Sequence, residues 1–172
     1  MIKQPIMGWE TFILKKFLGF GLFFCILAIP VFAANVSCLV IETGPLPEGP
    51  RSQYSKLWEN NLMDVFFDKG HIVSNGRIVR LNQRSKDSFP IEAVNDFEEA
   101  KKSGMDYFLV AIIEHPERND ISKTEIVYLR LFSTKTQDLI NEQVYEDNQP
   151  KSAKEENENI IMTIGLMAAK VK

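Results

Sequence analysis

The sequence has few of the residues that build disulfide frameworks and metal sites. Its 172 residues include two cysteines and two histidines. Cys25 lies in an apolar N-terminal run that resembles a cleavable leader, and its removal would leave Cys38 as the remaining thiol. One thiol forms no internal bridge, so a hydrophobic core must hold the chain together. About 138 residues follow the leader, which is the size of one ordinary domain.

Catalytic motifs are also missing. Ser55, Ser74 and Ser133 lack the Gly-x-Ser-x-Gly context of a nucleophile elbow. Residues 44–50 are rich in glycine and proline but are not followed by Lys-Ser/Thr, and their prolines remove amide donors that a phosphate loop needs. His71 could serve as a general base, although a histidine that opens a strand usually caps or packs. The sequence predicts no cofactor and no catalytic residue.

An excess of positive charge is absent as well. The whole chain has 20 basic and 23 acidic residues, and removing residues 1–34 leaves 17 basic and 22 acidic ones, a net charge of −5. Nucleic-acid-binding surfaces need clustered positive charge. The sequence therefore predicts no nucleic-acid partner.

The N-terminal segment has the pattern of a secretory signal peptide. Its first 16 residues are mildly basic, residues 17–32 carry no charge, and Val31 and Ala33 occupy the positions that a signal peptidase reads. We therefore predict a signal peptide over residues 1–34, cleaved after Ala33 or Ala34, and a location in the periplasm or cell envelope. An uncleaved anchor is the alternative, although the run is shorter than the roughly 20 residues of a membrane span and contains Pro30.

A lipoprotein anchored through Cys38 is a further alternative. Ser37 is a small residue before the cysteine, but Asn35 stands where a lipoprotein signal has an aliphatic residue. Cys38 also lies within the apolar run 36–41, which favours a buried strand thiol. Contact with a membrane is predicted only through the signal peptide or an uncleaved anchor.

Residues 35–172 predict a single α/β domain in the order β-α-β-α-β-β-β-α. Its centre is the apolar run Tyr107 to Ile113, which lacks polar alternation and is typical of a strand covered on both faces. Gly104 ends the helix before it. The expected strands are 36–41, 71–81, 107–113, 125–132 and 139–145, in a mixed sheet with helices packed on its faces and a hairpin at its edge.

Three expected helices carry apolar stripes. The first, 52–69, leaves Phe67 to face outward, where it could help to form a partner surface. Ser152 begins a capping box before the last helix. At Asn75-Gly76 the second strand is interrupted by a bulge or, alternatively, turns back in a tight hairpin. The stripes of the second and last helices consist of Ile91, Val94, Phe97 and Ala100, and of Ile160, Ile161, Ile164, Met167, Ala168 and Val171.

The carboxyl ends of two strands supply the candidate binding residues. Ligands of open α/β sheets bind beyond these ends, where Glu42, Thr43 and Gly44 follow the first strand and Glu114 and His115 follow the central one. Carboxylate and imidazole are suitable donors for a divalent ion. Strands that end in solvated polar residues explain the pattern equally well, so no metal site is predicted.

Two stretches resemble the periplasmic α/β domain shared by the TolB N-terminal region, the penicillin-binding-protein activator LpoB and the curli-secretion lipoprotein CsgG. Residues 100–110 are similar to that group's Ala-Lys-x-x-Gly-Ala-Asp-Tyr and buried strand, and residues 127–140 to its strand, Asp-Thr-x-Thr-Gly-Glu, strand hairpin. Gln137 departs from the group's turn glycine. The resemblance implies a compact envelope domain that binds another macromolecule.

Two functions follow as hypotheses. The first is a non-enzymatic exported domain, an adaptor or accessory protein that binds another envelope protein through the edge of its final hairpin. The second is a small secreted hydrolase or metal-dependent enzyme that uses Glu42, Glu114 and His115, or His71. The missing catalytic motifs favour the first.

Overall fold

The strand predicted at 107–113 lies in the middle of a sheet. In the computed structural model, β4 (Tyr107–Glu114) pairs in parallel with β1 (Asn35–Thr43) and antiparallel with β5 (Ile126–Ser133). Nearly every residue of β4 is buried, as its continuous apolar sequence predicts. The structure describes residues 33–44, 53–81, 90–115, 125–146 and 152–172, so the predicted signal peptide lies almost wholly outside the described residues.

The sheet is mixed and has six strands in the described part of the chain. Its order is β2-β1-β4-β5-β6, and β3 pairs with β1 beyond β2. These strands are β2 (Ile72–Asn75), β3 (Val79–Leu81) and β6 (Leu139–Glu146), and the helices are α1 (Gln53–Asp68), α2 (Ile91–Lys102) and α3 (Ala153–Ala168). The predicted single α/β domain with a mixed sheet is therefore confirmed.

Helices cover both faces of the sheet, but unequally. Trp58 of α1 and Ile164 of α3 pack with alternate residues of β1 and β4 in one core cluster. Ala93 and Ala100 of α2 pack with Phe108 in a second cluster on the opposite face. Two helices, α1 and α3, therefore cover one face. On the other face α2 is the single helix of the described residues, and it lies mainly over β1 and β4.

Two predicted helix stripes contain errors. Ile91 is 64% exposed and Val94 is 41% exposed, whereas Ala93 and Ala100 form the buried face of α2. Successive steps of three residues fall about 60° short of a full turn each, so residues 91, 94, 97 and 100 do not share one face. Ile161 of α3 is exposed for a similar reason, since it lies about 100° around the helix from buried Ile160.

Other local expectations are confirmed. The hydroxyl of Ser152 accepts a hydrogen bond from the Glu155 amide at 3.2 Å and caps α3. Phe67 is exposed, and Cys38 is a buried strand thiol whose pKa is raised to about 12 by desolvation. No helix in the described ranges is long and apolar enough to cross a membrane.

The interruption at Asn75-Gly76 is a bulge and not a hairpin. Both β2 and β3 run parallel to β1, whereas a tight hairpin would make them antiparallel neighbours. Cys38 is opposite Asn75 and Ile41 is opposite Val79, so the β2–β3 side contains one extra residue. The Gly76 amide donates to the Cys38 carbonyl oxygen at 2.7 Å and holds the start of the bulge against β1.

The β5–β6 turn places Gln137 in the conformation that a glycine would take. Its φ of 63° is the only positive φ of a non-glycine residue in the described part of the chain. The Gln137 amide donates to the Ser133 carbonyl at 2.9 Å, and the Ser133 amide donates to the Asp138 carbonyl at 3.0 Å. These bonds keep the turn closed although the side chain disfavours the conformation.

We predict that Gln137→Gly stabilises the protein. Glycine removes the left-handed strain, and its greater entropy in the unfolded chain offsets part of the gain, so we expect an increase of up to about 1 kcal/mol in the free energy of unfolding. Denaturant titration measures it. Thr136→Gly, in the same turn but without a positive φ, should give no increase. Equal effects of the two substitutions would contradict the explanation.

Candidate functional site

Glu42 is engaged in an ion pair at the end of β1. Its side chain is fully buried, and its Oε2 lies 2.7 Å from Nε of Arg80, which stands opposite it on β3. The Arg80 side chain is 30% exposed. Burying a carboxylate is costly unless a counter-ion stays close. The pairing of β3 with β1 places the Arg80 guanidinium beside the Glu42 carboxylate and so stabilises it.

Glu114 lies on the other face of the sheet. In the parallel ladder Glu42 is opposite Ile113, and Thr43 is opposite Glu114. Neighbouring residues of a strand point to opposite faces, so the two buried carboxylates are separated by the sheet. The Thr43 hydroxyl donates to the Ile113 carbonyl at 3.3 Å. The structure therefore does not bring Glu42 and Glu114 together.

His115 joins the ends of β1 and β4. Its amide donates to the Thr43 carbonyl oxygen at 2.9 Å, and its Nδ1 lies 2.8 Å from Oε1 of Glu125. Gly44 has a φ of 112°, and a Cβ at this position would lie 2.5 Å from the His115 carbonyl oxygen. Only glycine fits there, so Thr43, Gly44 and His115 form one closely packed junction.

The contacts of this junction hold the ends of β1 and β4 together. Within the described ranges, no group of three or more His, Cys, Asp or Glu side chains is arranged to hold a metal ion. The Glu125 carboxylate is paired with the His115 ring. Whether a ligand binds near these strand ends stays a prediction.

His71 also has a packing role. Its amide donates to the Phe66 carbonyl and closes the end of α1, and the two rings lie 6.1 Å apart. Burial lowers the pKa of His71. This matches the capping and packing interpretation of the sequence.

Asp106 connects the start of β1 with the hairpin turn. Its Oδ2 accepts a hydrogen bond from the Asn35 amide at 3.0 Å, and its Oδ1 accepts one from the Lys135 ammonium at 2.7 Å. The Asn35 bond is the largest cause that lowers the pKa of Asp106, followed by the Lys135 bond. This contact could not be predicted from sequence patterns, because its members are far apart in the chain.

The hairpin itself presents an apolar surface. Leu139, Ile140 and Val144 of the edge strand β6 are exposed. Val144 is opposite Tyr128 of β5, on the face whose helix, α2, lies mainly over β1 and β4. The sequence predicted the hairpin but not this exposure, which depends on how far α2 extends across the sheet.

Comparison with known proteins gives structural similarities only. No protein-family model matches the sequence, and no curated protein matches it. Among solved structures, the PelC dodecamer from Paraburkholderia phytofirmans matches 82% of this chain and 90% of its own, with 13% identity and a TM-score of 0.44. TolB from Acinetobacter baumannii matches 82% of this chain and 28% of its own, with 13% identity and a TM-score of 0.39.

The LpoB C-terminal domain from Escherichia coli is also similar. It matches 75% of this chain and 94% of its own, with 12% identity and a TM-score of 0.39. TolB and LpoB are members of the group that residues 100–110 and 127–140 resemble, so the expected resemblance is confirmed. It describes the shape of the backbone, and it assigns neither a partner nor an activity.

We predict that Arg80→Met is strongly destabilising. The substitution removes the guanidinium from a fully buried carboxylate, and we expect a loss of about 3 kcal/mol in the free energy of unfolding. Arg130→Met is a matched control, because the Arg130–Glu142 pair has the same 2.7 Å separation while Glu142 is 40% exposed. The control should lose less than about 1 kcal/mol. Urea titrations measure the free energy of unfolding of both variants. Equal losses would contradict the prediction that removing the partner of a buried carboxylate costs more than removing the partner of an exposed one.

Proposed function

We propose that this chain is a non-enzymatic exported domain that binds another envelope protein through its β5–β6 hairpin. The observation that carries the proposal is the uneven covering of the sheet. Val144 is exposed on the face where α2 lies, and Leu139 and Ile140 of the same edge strand are exposed as well. Exposed apolar side chains along an edge strand favour contact with another protein.

The position of β6 supports the same surface. In the described sheet β6 pairs with β5 alone, so its outer edge offers backbone donors and acceptors to an added strand. An extended segment of a partner can add to such an edge, and its alternate side chains can contact those of the edge strand. Val144 would contribute apolar contact, and exposed Glu146 favours a basic residue in the partner strand.

The charged residues at the strand ends give less support to an enzyme. Arg80 is paired with Glu42, and Glu125 with His115, and each pair joins neighbouring strands or their ends. The buried carboxylate of Glu114 lies on the opposite face from Glu42. No observation in the described residues favours the hydrolase or metal-enzyme hypothesis over the binding domain.

Export is the second part of the proposal. Ala33 is exposed, whereas Ala34 is buried in the core and its carbonyl oxygen accepts a hydrogen bond from the Ile72 amide at 2.9 Å. Cleavage after Ala33 would keep these contacts. Lipidation at Cys38 would instead remove Val36, which pairs with Val73 and Tyr107. The packing of β1 therefore supports a signal peptide cleaved after Ala33.

We predict that Val144→Lys prevents partner binding without unfolding the domain. Val144 is 51% exposed, so lysine should be tolerated there while it places a charge in the apolar contact. Leu166→Lys on α3 is a matched control, because Leu166 is 54% exposed on a different surface. Crosslinking in intact cells followed by mass spectrometry measures the partners of each variant.

A partner that is retained by Leu166→Lys and lost by Val144→Lys is the expected result. Identical partners for the wild-type protein and both variants, with unchanged circular dichroism spectra, would remove the hairpin from the proposal.

We also predict that the mature protein begins at Ala34. Intact-mass measurement of the protein recovered from the envelope fraction of its host gives this directly. A mass that matches a chain beginning at Asn35 would place the cleavage one residue later, after Ala34. An uncleaved mass or a diacylglyceryl adduct on Cys38 would contradict the processing proposed above.

A further inference from the structure

A cleft lies beside the bulge, on the face of the sheet that carries α2. It has a volume of about 360 Å³ and is lined by residues of β1, the β2–β3 segment, α2 and β4. This volume is within the range of small-molecule sites, which begins near 300 Å³. The cleft is separate from the hairpin surface, because Phe97 of α2 contacts Phe132 of β5 on the other side of the helix.

The bulge produces the cleft. Residues 76–78 stand opposite only residues 39 and 40 of β1, because Asn75 pairs with Cys38 and Val79 pairs with Ile41. The extra residue moves the chain away from the regular ladder, as bulges do. A Cβ built on Gly76 would lie 3.7 Å from Oδ2 of Asp96, so the carboxylate of α2 faces the bulge at short range.

The lining combines both signs of charge. Arg77 comes from the bulge, and Asp96 and Glu99 lie one turn apart on α2, which gives a formal charge of −1. Burial is the largest cause that raises the pKa of Asp96, Arg77 lowers it, and Glu99 raises it further. A positively charged group close to the two carboxylates would lower this pKa and so oppose both effects.

The floor of the cleft has unused hydrogen-bonding capacity. Within the described residues the Ser37 hydroxyl makes no hydrogen bond, and that of Ser74 makes only a 4.0 Å contact with the sulfur of Met105. Leu39 and Phe108 add apolar surface. A ligand that fits would therefore have polar groups at its ends and a short apolar chain between them.

We propose that this cleft binds a small basic amino acid, a compound with two ammonium groups and one carboxylate. Arg77 receives the carboxylate, because a guanidinium binds carboxylates in a forked geometry. Asp96 and Glu99 receive the ammonium groups, the serine hydroxyls complete their hydrogen bonds, and the apolar floor contacts the methylene chain. The ligand's charge of +1 offsets the −1 of the lining.

The test uses racemic lysine as the probe and the processed protein as purified after export. Saturable chemical-shift changes are expected for backbone amides near residues 37, 76 and 96. Cadaverine lacks the carboxylate and norleucine lacks the second ammonium group, so each should bind at least about tenfold more weakly, the usual effect of losing one charge-assisted hydrogen bond.

Two variants make the test specific. Asp96→Asn should weaken lysine binding about tenfold or more, whereas Asp64→Asn, at an exposed position on α1, should leave it unchanged. Asp96→Asn is expected to fold, because a raised carboxyl pKa stabilises the folded state at low pH and this contribution is lost as pH rises through the folded pKa. The uncharged asparagine amide avoids the cost of burying an ionised carboxylate at pH 7.

Saturable lysine binding that depends on Asp96 supports the proposal. No saturable change at 10 mM lysine, equal affinity for cadaverine or norleucine, or unchanged binding by a folded Asp96→Asn protein would overturn it. None of these outcomes depends on whether the hairpin binds a protein partner.

Discussion

The pairing of β1 with β4 is the constraint on which the rest of the structure depends. The two strands run side by side from Val36 opposite Tyr107 to Thr43 opposite Glu114, and both are buried on both faces. A ladder of this kind needs a layer of helices on each side. The positions of α1 and α3 on one face and α2 on the other follow from this need.

The fold could be predicted from sequence because a strand that is buried on both faces has an almost wholly apolar sequence. Residues 107–113 are apolar without interruption, and this alone indicates a strand with two covered faces. The site could not be predicted in the same way. Glu42 and Glu114 look equivalent as polar residues that end strands, but a ladder in which Thr43 is opposite Glu114 puts them on different faces. Alternation of apolar and polar residues would indicate the face of each side chain, but the apolar runs before Glu42 and Glu114 have no such alternation.

The surfaces follow from the same uneven layering. One helix on the second face leaves the hairpin open on one side, and the bulge in β2–β3 leaves a cleft on the other side. The residues of α2 divide accordingly, with Asp96 and Glu99 toward the cleft and Phe97 toward the hairpin. A spacing of three residues in the sequence suggested a single apolar stripe, whereas the helix has different neighbours along its two flanks.

The hydrogen bond between Asn35 and Asp106 spans 71 residues of chain, and this separation has a consequence for how the protein forms. β1 is synthesised early, and β4, the parallel neighbour that pairs with it from Val36 to Thr43, exists only after more than half of the chain has been made, whereas β5 and β6 meet across a short turn. Pairings distant in sequence form slowly and leave apolar strands exposed in the meantime. The edge of nascent β1 that pairs with β4 therefore stays open until residues 107–114 have been synthesised, and its apolar side chains remain exposed for that time.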